Sequence, residues 1–226
     1  MPKAMFIEIE AKSESQDEIA DFLRNAVDAA EHEPDTRDWY ALRFDAQHFA
    51  LFDTFDGHLG RLKHIAGEIG RGLVVKSFTS LSGLPDMSSS EIVAAKLPNG
   101  TTQARLALYV PIETRLGQGR DFGEMLVAAK QMADAEPGTI AWYALRSGPN
   151  DFAIIDFFAD EEGRQAHLNG PIAAALKEQV GRFLDVMPEI RQAEVLASKQ
   201  SGWEAIVSAA KQMHPEQPVR IGPEPV

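Results

Sequence analysis

The chain has no cysteine, which excludes disulfides, thiolate nucleophiles and Cys-ligated metals. Trp and Tyr are scarce, three of each in 226 residues. No apolar run approaches the ~18 residues of a membrane span. Lys and Arg number 22 against 34 acidic residues and form no cluster, leaving a net charge of −12. Nucleic acid or an anionic membrane would need a footprint of the opposite sign, so neither is expected as a partner. Glycine-rich phosphate loops and His-x-x-x-His spacing are also missing, so no metal site and no cofactor is expected. The purified protein should be colourless. The opening MPKAMFIEIE enters a strand pattern without a signal peptide's apolar core, and a cytoplasmic location is the expectation.

What the sequence does contain is a repeat. Residues 33–67, EPDTRDWYALRFDAQHFALFDTFDGHLGRLKHIAG, return as EPGTIAWYALRSGPNDFAIIDFFADEEGRQAHLNG at 136–170. Every position is shifted by the same amount, so Glu33-Pro34 becomes Glu136-Pro137, Asp53 becomes Asp156 and His64 becomes His167. Without a gap, the register extends upstream to Met5-Phe6-Ile7 with Leu108-Tyr109-Val110. Downstream it reaches EIVAAK at 91–96 with EVLASK at 194–199. A unit of roughly a hundred residues is a small domain, not a solenoid repeat. The chain divides into units at 1–97 and 106–200, a linker at 98–105, and a C-terminal helix and Pro-rich tail at 201–226.

Each unit alternates its patterns. Residues 4–10 read as a strand. Ser15-Gln16-Asp17-Glu18 then fits a capping box before a helix striped by Ile19, Phe22, Leu23, Ala26, Val27 and Ala30. Strands near 36–43 and 49–55 form a hairpin, a second helix spans about 56–81, and a fourth strand covers 91–96. The second unit repeats this order, with Phe122, Met125, Leu126, Ala129 and Ala133 on its first helix. The βαββαβ order makes an α+β, ferredoxin-like unit. Tyr40, Leu42 and Phe52 alternate with Trp39, Ala41 and Leu51, so both sheet faces are apolar and both need a cover. Helices cover one face, and the other unit's sheet covers the second. The expected architecture is two tandem units packed sheet to sheet as an intramolecular barrel, with Tyr40 and Tyr143 at the interface.

The second copy resembles the antibiotic biosynthesis monooxygenase (ABM) domain. The matching residues are Glu136-Pro137-Gly138, Trp142, Arg146-Ser147, Phe152, Asp156, Phe158, Asp160-Glu161-Glu162 and Ala166-His167-Leu168. By register the first copy resembles it too, although Asp56-Gly57 replaces the acidic pair that opens the helix. The resemblance implies a dimeric α+β barrel and cofactor-free oxidation of an electron-rich aromatic or quinol-type compound. Haem-degrading members carry an Asn on strand one, and no Asn stands there in this chain.

Candidate site residues follow from the repeat. His64 and His167 lie one helical turn after Arg61 and Arg164, on the same helix face. An imidazole there could serve as base toward a phenolic hydroxyl, or could be a structural group bonded to the strand's Asp. Asp53 and Asp156 sit mid-strand among Phe residues and need a partner, Arg or His, from helix two. Because the second copy fits the ABM pattern better, His167, Asp156, Arg146 and His64 are the catalytic candidates. Trp142, Phe158 and Trp39 are candidates for holding the substrate. The expected activity is monooxygenation of a small aromatic compound. A non-catalytic barrel that binds a hydrophobic ligand, an assembly protein, and an isomerase or cyclase of the same barrel class are the alternatives, and homo-oligomerisation stays open.

Overall fold

The computed structural model describes residues 2–99 and 101–200. The first unit runs β1 (Lys3–Glu10), α1 (Gln16–Glu31), β2 (Thr36–Arg43), β3 (His48–Phe55), α2 (His58–Ile65), α3 (Glu68–Thr79) and β4 (Asp86–Lys96). The second repeats it as β5 (Leu106–Glu113), α4 (Gly119–Ala135), β6 (Thr139–Arg146), β7 (Asp151–Phe158), α5 (Glu161–Leu168), α6 (Pro171–Lys177) and β8 (Arg191–Lys199). All eight strands join one closed antiparallel barrel in the order β1-β3-β2-β8-β5-β7-β6-β4. Within it each unit keeps the ferredoxin-like order, fourth strand beside first, then third, then second. The seams between units are β2 against β8 and β4 against β6.

The alternation of the strands decides the layers. Met5, Ile7, Trp39, Ala41, Phe49 and Leu51 face outward and pack under α1, where Ile19, Leu23, Ala26 and Ala30 are buried. Val110, Ile112, Trp142, Ala144, Phe152 and Ile154 do the same under α4. The inward faces of both units merge into a third core containing Phe6, Tyr40, Leu42, Phe52, Tyr143, Leu145, Ile155 and Phe157. Tyr40 stacks on Phe157 with ring centroids 3.7 Å apart. Each unit's last strand also serves its neighbour. Lys199 on β8 donates to the carbonyls of Ala30, Glu33 and Thr36, while Lys96 on β4 donates to those of Ala133 and Glu136. Cations at the last carbonyls of α1 and α4 complete those helix ends.

Three local expectations change. Ser15 precedes α1, but its side chain makes no capping bond, so Asp17 and Glu18 in the first turn are the favourable charges there. The single second helix is broken at Ala66-Gly67 into α2 and α3. A Cβ at Gly70 would lie 2.0 Å from the Ile65 carbonyl oxygen, so the reversal needs a glycine at that point. The fourth strand begins at Asp86 rather than 91, because its first half pairs with β1 before its second half pairs with β6. The helix and tail expected after residue 200 lie outside the described residues.

A polar link between the units lies in the barrel core. The Tyr143 hydroxyl donates to Asp38 Oδ2 at 2.9 Å, and the Thr54 hydroxyl donates to the same oxygen at 3.2 Å. The duplicate positions are Ala141 and Phe157, so the link is one-sided. Tyr143→Phe removes one buried donor and should lower the unfolding free energy by about 1–3 kcal/mol. Urea unfolding followed by circular dichroism measures it. No loss would mean that this bond contributes nothing to holding the halves together.

Candidate functional site

Two buried side-chain clusters lie between helix and sheet, one per unit. In the first, His64 Nδ1 stands 2.5 Å from Glu33 Oε2, and Nε2 stands 3.5 Å from Asp53 Oδ2. The second repeats it, with His167 Nδ1 2.7 Å from Glu136 Oε2 and Nε2 3.6 Å from Asp156 Oδ2. Thr36 and Thr139 each donate a hydroxyl at 2.8 Å to the same glutamate oxygen. The glutamate ends the loop from the first helix, the aspartate sits mid-strand, and the histidine comes from the short helix after the hairpin. Backbone proximity sets that helix: a Cβ at Gly138 would lie 2.8 Å from Gly163 Cα, so the helix approaches the Glu-Pro-Gly loop directly. This close approach brings His167 within reach of Glu136.

Burial sets the electrostatics. Asp53 and Asp156 are shielded from solvent. Among the described residues, both Asp53 oxygens and one of Asp156 have no hydrogen-bond donor. Desolvation therefore pushes Asp53 up to about 7 and Asp156 to about 6, despite the opposing pull of the imidazole. For the histidines, burial disfavours the charged ring. Asp53 and Glu33 more than offset this for His64, as Asp156 and Glu136 do for His167, and both are held above their usual value. Burial also opposes ionisation of Glu33 and Glu136, but hydrogen bonds from the imidazole and threonine leave both below the ordinary carboxylate range. Near neutrality each cluster is an imidazole poised between an ionised glutamate and an aspartate able to hold or release a proton.

The candidate residues do not all converge. Asp156 and His167 meet as expected, and so do Asp53 and His64. Trp39 and Trp142 are fully buried in the outer cores and pair in register with Asp53 and Asp156. Phe158 packs its ring 5.4 Å from that of His167, as Phe55 does against His64. Arg146 is elsewhere: it donates to the carbonyls of Gly148 and Pro149 at the turn after β6. The partner of the Asp-His pair is thus a glutamate, not an arginine. Glu33 and Glu136 were visible as the repeated Glu-Pro, but their carboxylates come from a loop, where no periodicity points them inward.

An apolar cavity of about 210 Å³ reaches only the first cluster. Among the described residues His64 is its one titratable lining residue, beside Ile7, Ile69, Leu73, Leu84 and Met87. In the second unit Phe183 joins the corresponding core, its ring centroid 6.0 Å from that of Phe122. The first unit has Ser80 at that position, tied to Glu18. Among the described residues no group of His, Asp and Glu is arranged to hold a metal ion. No helix among them is long and apolar enough to cross a membrane.

No protein-family model matches the sequence, and no curated protein matches it either. Solved structures do. A "putative monooxygenase" from Fusobacterium nucleatum is 13% identical over 89% of this chain and 95% of its own, with a TM-score of 0.78. A ferredoxin-fold protein from Listeria monocytogenes, described as related to antibiotic biosynthesis monooxygenases, is 13% identical over 85% and 94%, with a TM-score of 0.52. A protein of unknown function from Nitrosomonas europaea is 48% identical over 42% of this chain and 93% of its own, with a TM-score of 0.42.

Proposed function

Because the chain has the tandem dimeric α+β barrel fold of the ABM-type family, we propose that it oxidises a small electron-rich aromatic or quinol-type compound without a cofactor, in the cavity beside His64. The observation that carries this reading is an apolar pocket whose one titratable wall is an imidazole backed by two carboxylates. A cavity of about 210 Å³ is below the roughly 300–1,000 Å³ of drug-sized sites, which limits the occupant to a small molecule.

The chemistry needs little from the protein. Neutral His64 takes a proton from the substrate, and Glu33 fixes the ring through Nδ1 and stabilises the imidazolium that forms. Asp53, near 7, receives the positive charge on the other nitrogen. The deprotonated substrate then reduces dioxygen. One oxygen atom stays as a carbonyl on the ring carbon para to the phenolic oxygen, and the other leaves as water with that carbon's hydrogen and the proton taken by His64. The apolar walls keep bulk water from the anion and from the reduced oxygen species.

Oxygen uptake with a panel of small hydroquinones and anthrone-like compounds tests this. Saturable consumption is expected, and Leu73→Trp, which places an indole in the cavity, should abolish it with the fold intact. Saturable binding without oxygen uptake would instead support a non-catalytic barrel for hydrophobic ligands.

A further inference from the structure

The duplication places two pseudo-symmetric clefts at the unit seams, of about 420 and 450 Å³. Similar in size, they differ in charge. Lys3, Arg61 and Arg146 line the first, with Glu91 its single carboxylate among the described residues and His58, Ser90 and Ser147 adding further donors. At the duplicate positions the second cleft has Leu106 for Lys3, Arg164 for Arg61 and Arg43 for Arg146, and it adds Asp45 beside Glu194. Three cations against one carboxylate thus face two against two, in a chain whose net charge is −12.

The pairing differs too. Arg164 is bound to Glu161 one turn earlier on α5. His58 stands at the equivalent place on α2, and the Arg61 side chain has no hydrogen bond or ion pair among the described residues. Its Nε is buried and unmet, as is that of Arg164. Glu91 is committed to Lys3 at 2.7 Å, and Arg146 spends Nε and one terminal nitrogen on the Gly148 and Pro149 carbonyls. Among the described residues Arg61 is therefore a guanidinium without an acidic partner, whereas Arg164 has Glu161.

We propose that the first seam cleft binds a phosphate-bearing small molecule. Guanidinium forks match phosphate oxygens in pairs, and serine hydroxyls supply single donors around them. The inference is independent of the chemistry at His64.

The test is calorimetric titration of the full chain with inorganic phosphate, phenyl phosphate and citrate, at low ionic strength. Both phosphates should saturate at one equivalent. Arg61→Ala and Arg146→Ala should each weaken binding at least tenfold, and Arg164→Ala should leave it unchanged. His58→Glu gives Arg61 the partner that Arg164 already has, and it should weaken binding to the same extent. Because His58 is exposed, that variant decides the matter if the arginine variants fail to fold. Absence of saturation, an equal loss in Arg164→Ala, undiminished binding in His58→Glu, or tighter binding of citrate than of either phosphate would overturn the proposal.

Discussion

His64→Gln should slow oxygen consumption by about 10²–10⁴-fold, the usual worth of a positioned general base. Glutamine can still donate to Glu33 but cannot take a proton, so it separates chemistry from scaffolding. Its melting temperature should stay close to that of the parent. Alanine is a poorer probe, because it strands Glu33 and a buried Asp53 without their partner and would add a stability loss of about 3–5 kcal/mol. The duplicate supplies the control. His167→Gln removes an imidazole with the same neighbours, yet the apolar cavity opens beside His64. Its effect should be confined to a small shift in stability, with oxygen uptake unchanged. If His64→Gln kept most of the rate, or His167→Gln lost as much, the cavity in the first unit would not be the active site.

Motif density and cavity fall in different copies. The ABM-like pattern is denser at 136–170, where Gly138, the Asp160 cap and the acidic pair Glu161-Glu162 make a well-formed helix start. Asp160 does accept from the Gly163 amide at 2.9 Å, whereas Gly57 opens α2 with no side-chain cap. Those residues report how firmly the helix is seated. They do not report whether space is left beside it. The cavity depends on Gly70, Leu84 and Met87, which lie outside the shared motif and differ from their duplicates Ala173, Met187 and Ile190. Void volume is a sum over several side chains from different elements, and no single-sequence pattern displays it.

The barrel itself was legible because alternation with period two leaves no freedom. Once Trp39 and Tyr40 are both apolar and adjacent, the strand has two buried faces, and only a second sheet can cover the inner one. The Asp-His meeting was legible for a related reason: a buried carboxylate on a strand needs a cation, and helix two offers His or Arg. Choosing between them required distances. Arg61 lies one turn before His64, yet it lines the seam cleft rather than the Asp53 cluster. Residues three apart share a helix face, but α2 is only eight residues long, and its Arg61 lines the seam cleft while His64 meets Asp53. Successive turns therefore overhang different spaces.

The stability of the protein should fall as pH rises from mildly acid to mildly alkaline, against the trend of most acidic proteins. Asp53 is held near 7 when folded and returns to about 3.9 when unfolded. Between those values the folded chain keeps a proton that the unfolded chain has released, so its stabilising effect is complete below the lower value and lost as pH passes the upper one. At 1.36 kcal/mol per pH unit, Asp53 alone should remove on the order of 3 kcal/mol between about pH 5 and pH 8. Asp156, near 6, acts in the same direction over a narrower window. The raised histidines add to the same slope, although Asp53 and His64 titrate as one linked pair and their contributions do not sum. Glu33 and Glu136, shifted down, act the opposite way, but only as pH falls through their own depressed values. Asp53→Asn keeps the shape and removes the titration. Its unfolding free energy should fall less steeply than the parent's from about pH 5 to pH 7, keeping the shares of Asp156 and the histidines, and at pH 8 it should exceed that of the parent. Without the Asp53 charge His64 also loses the largest influence raising it, so the acid limb of the rate profile should move to lower pH. Urea titrations across this range read the first effect and oxygen uptake the second. A parent protein that gains stability steadily up to pH 8, or an Asp53→Asn variant with an unaltered slope, would show that Asp53 is ionised in the folded state and that the pair does not share its proton in this way.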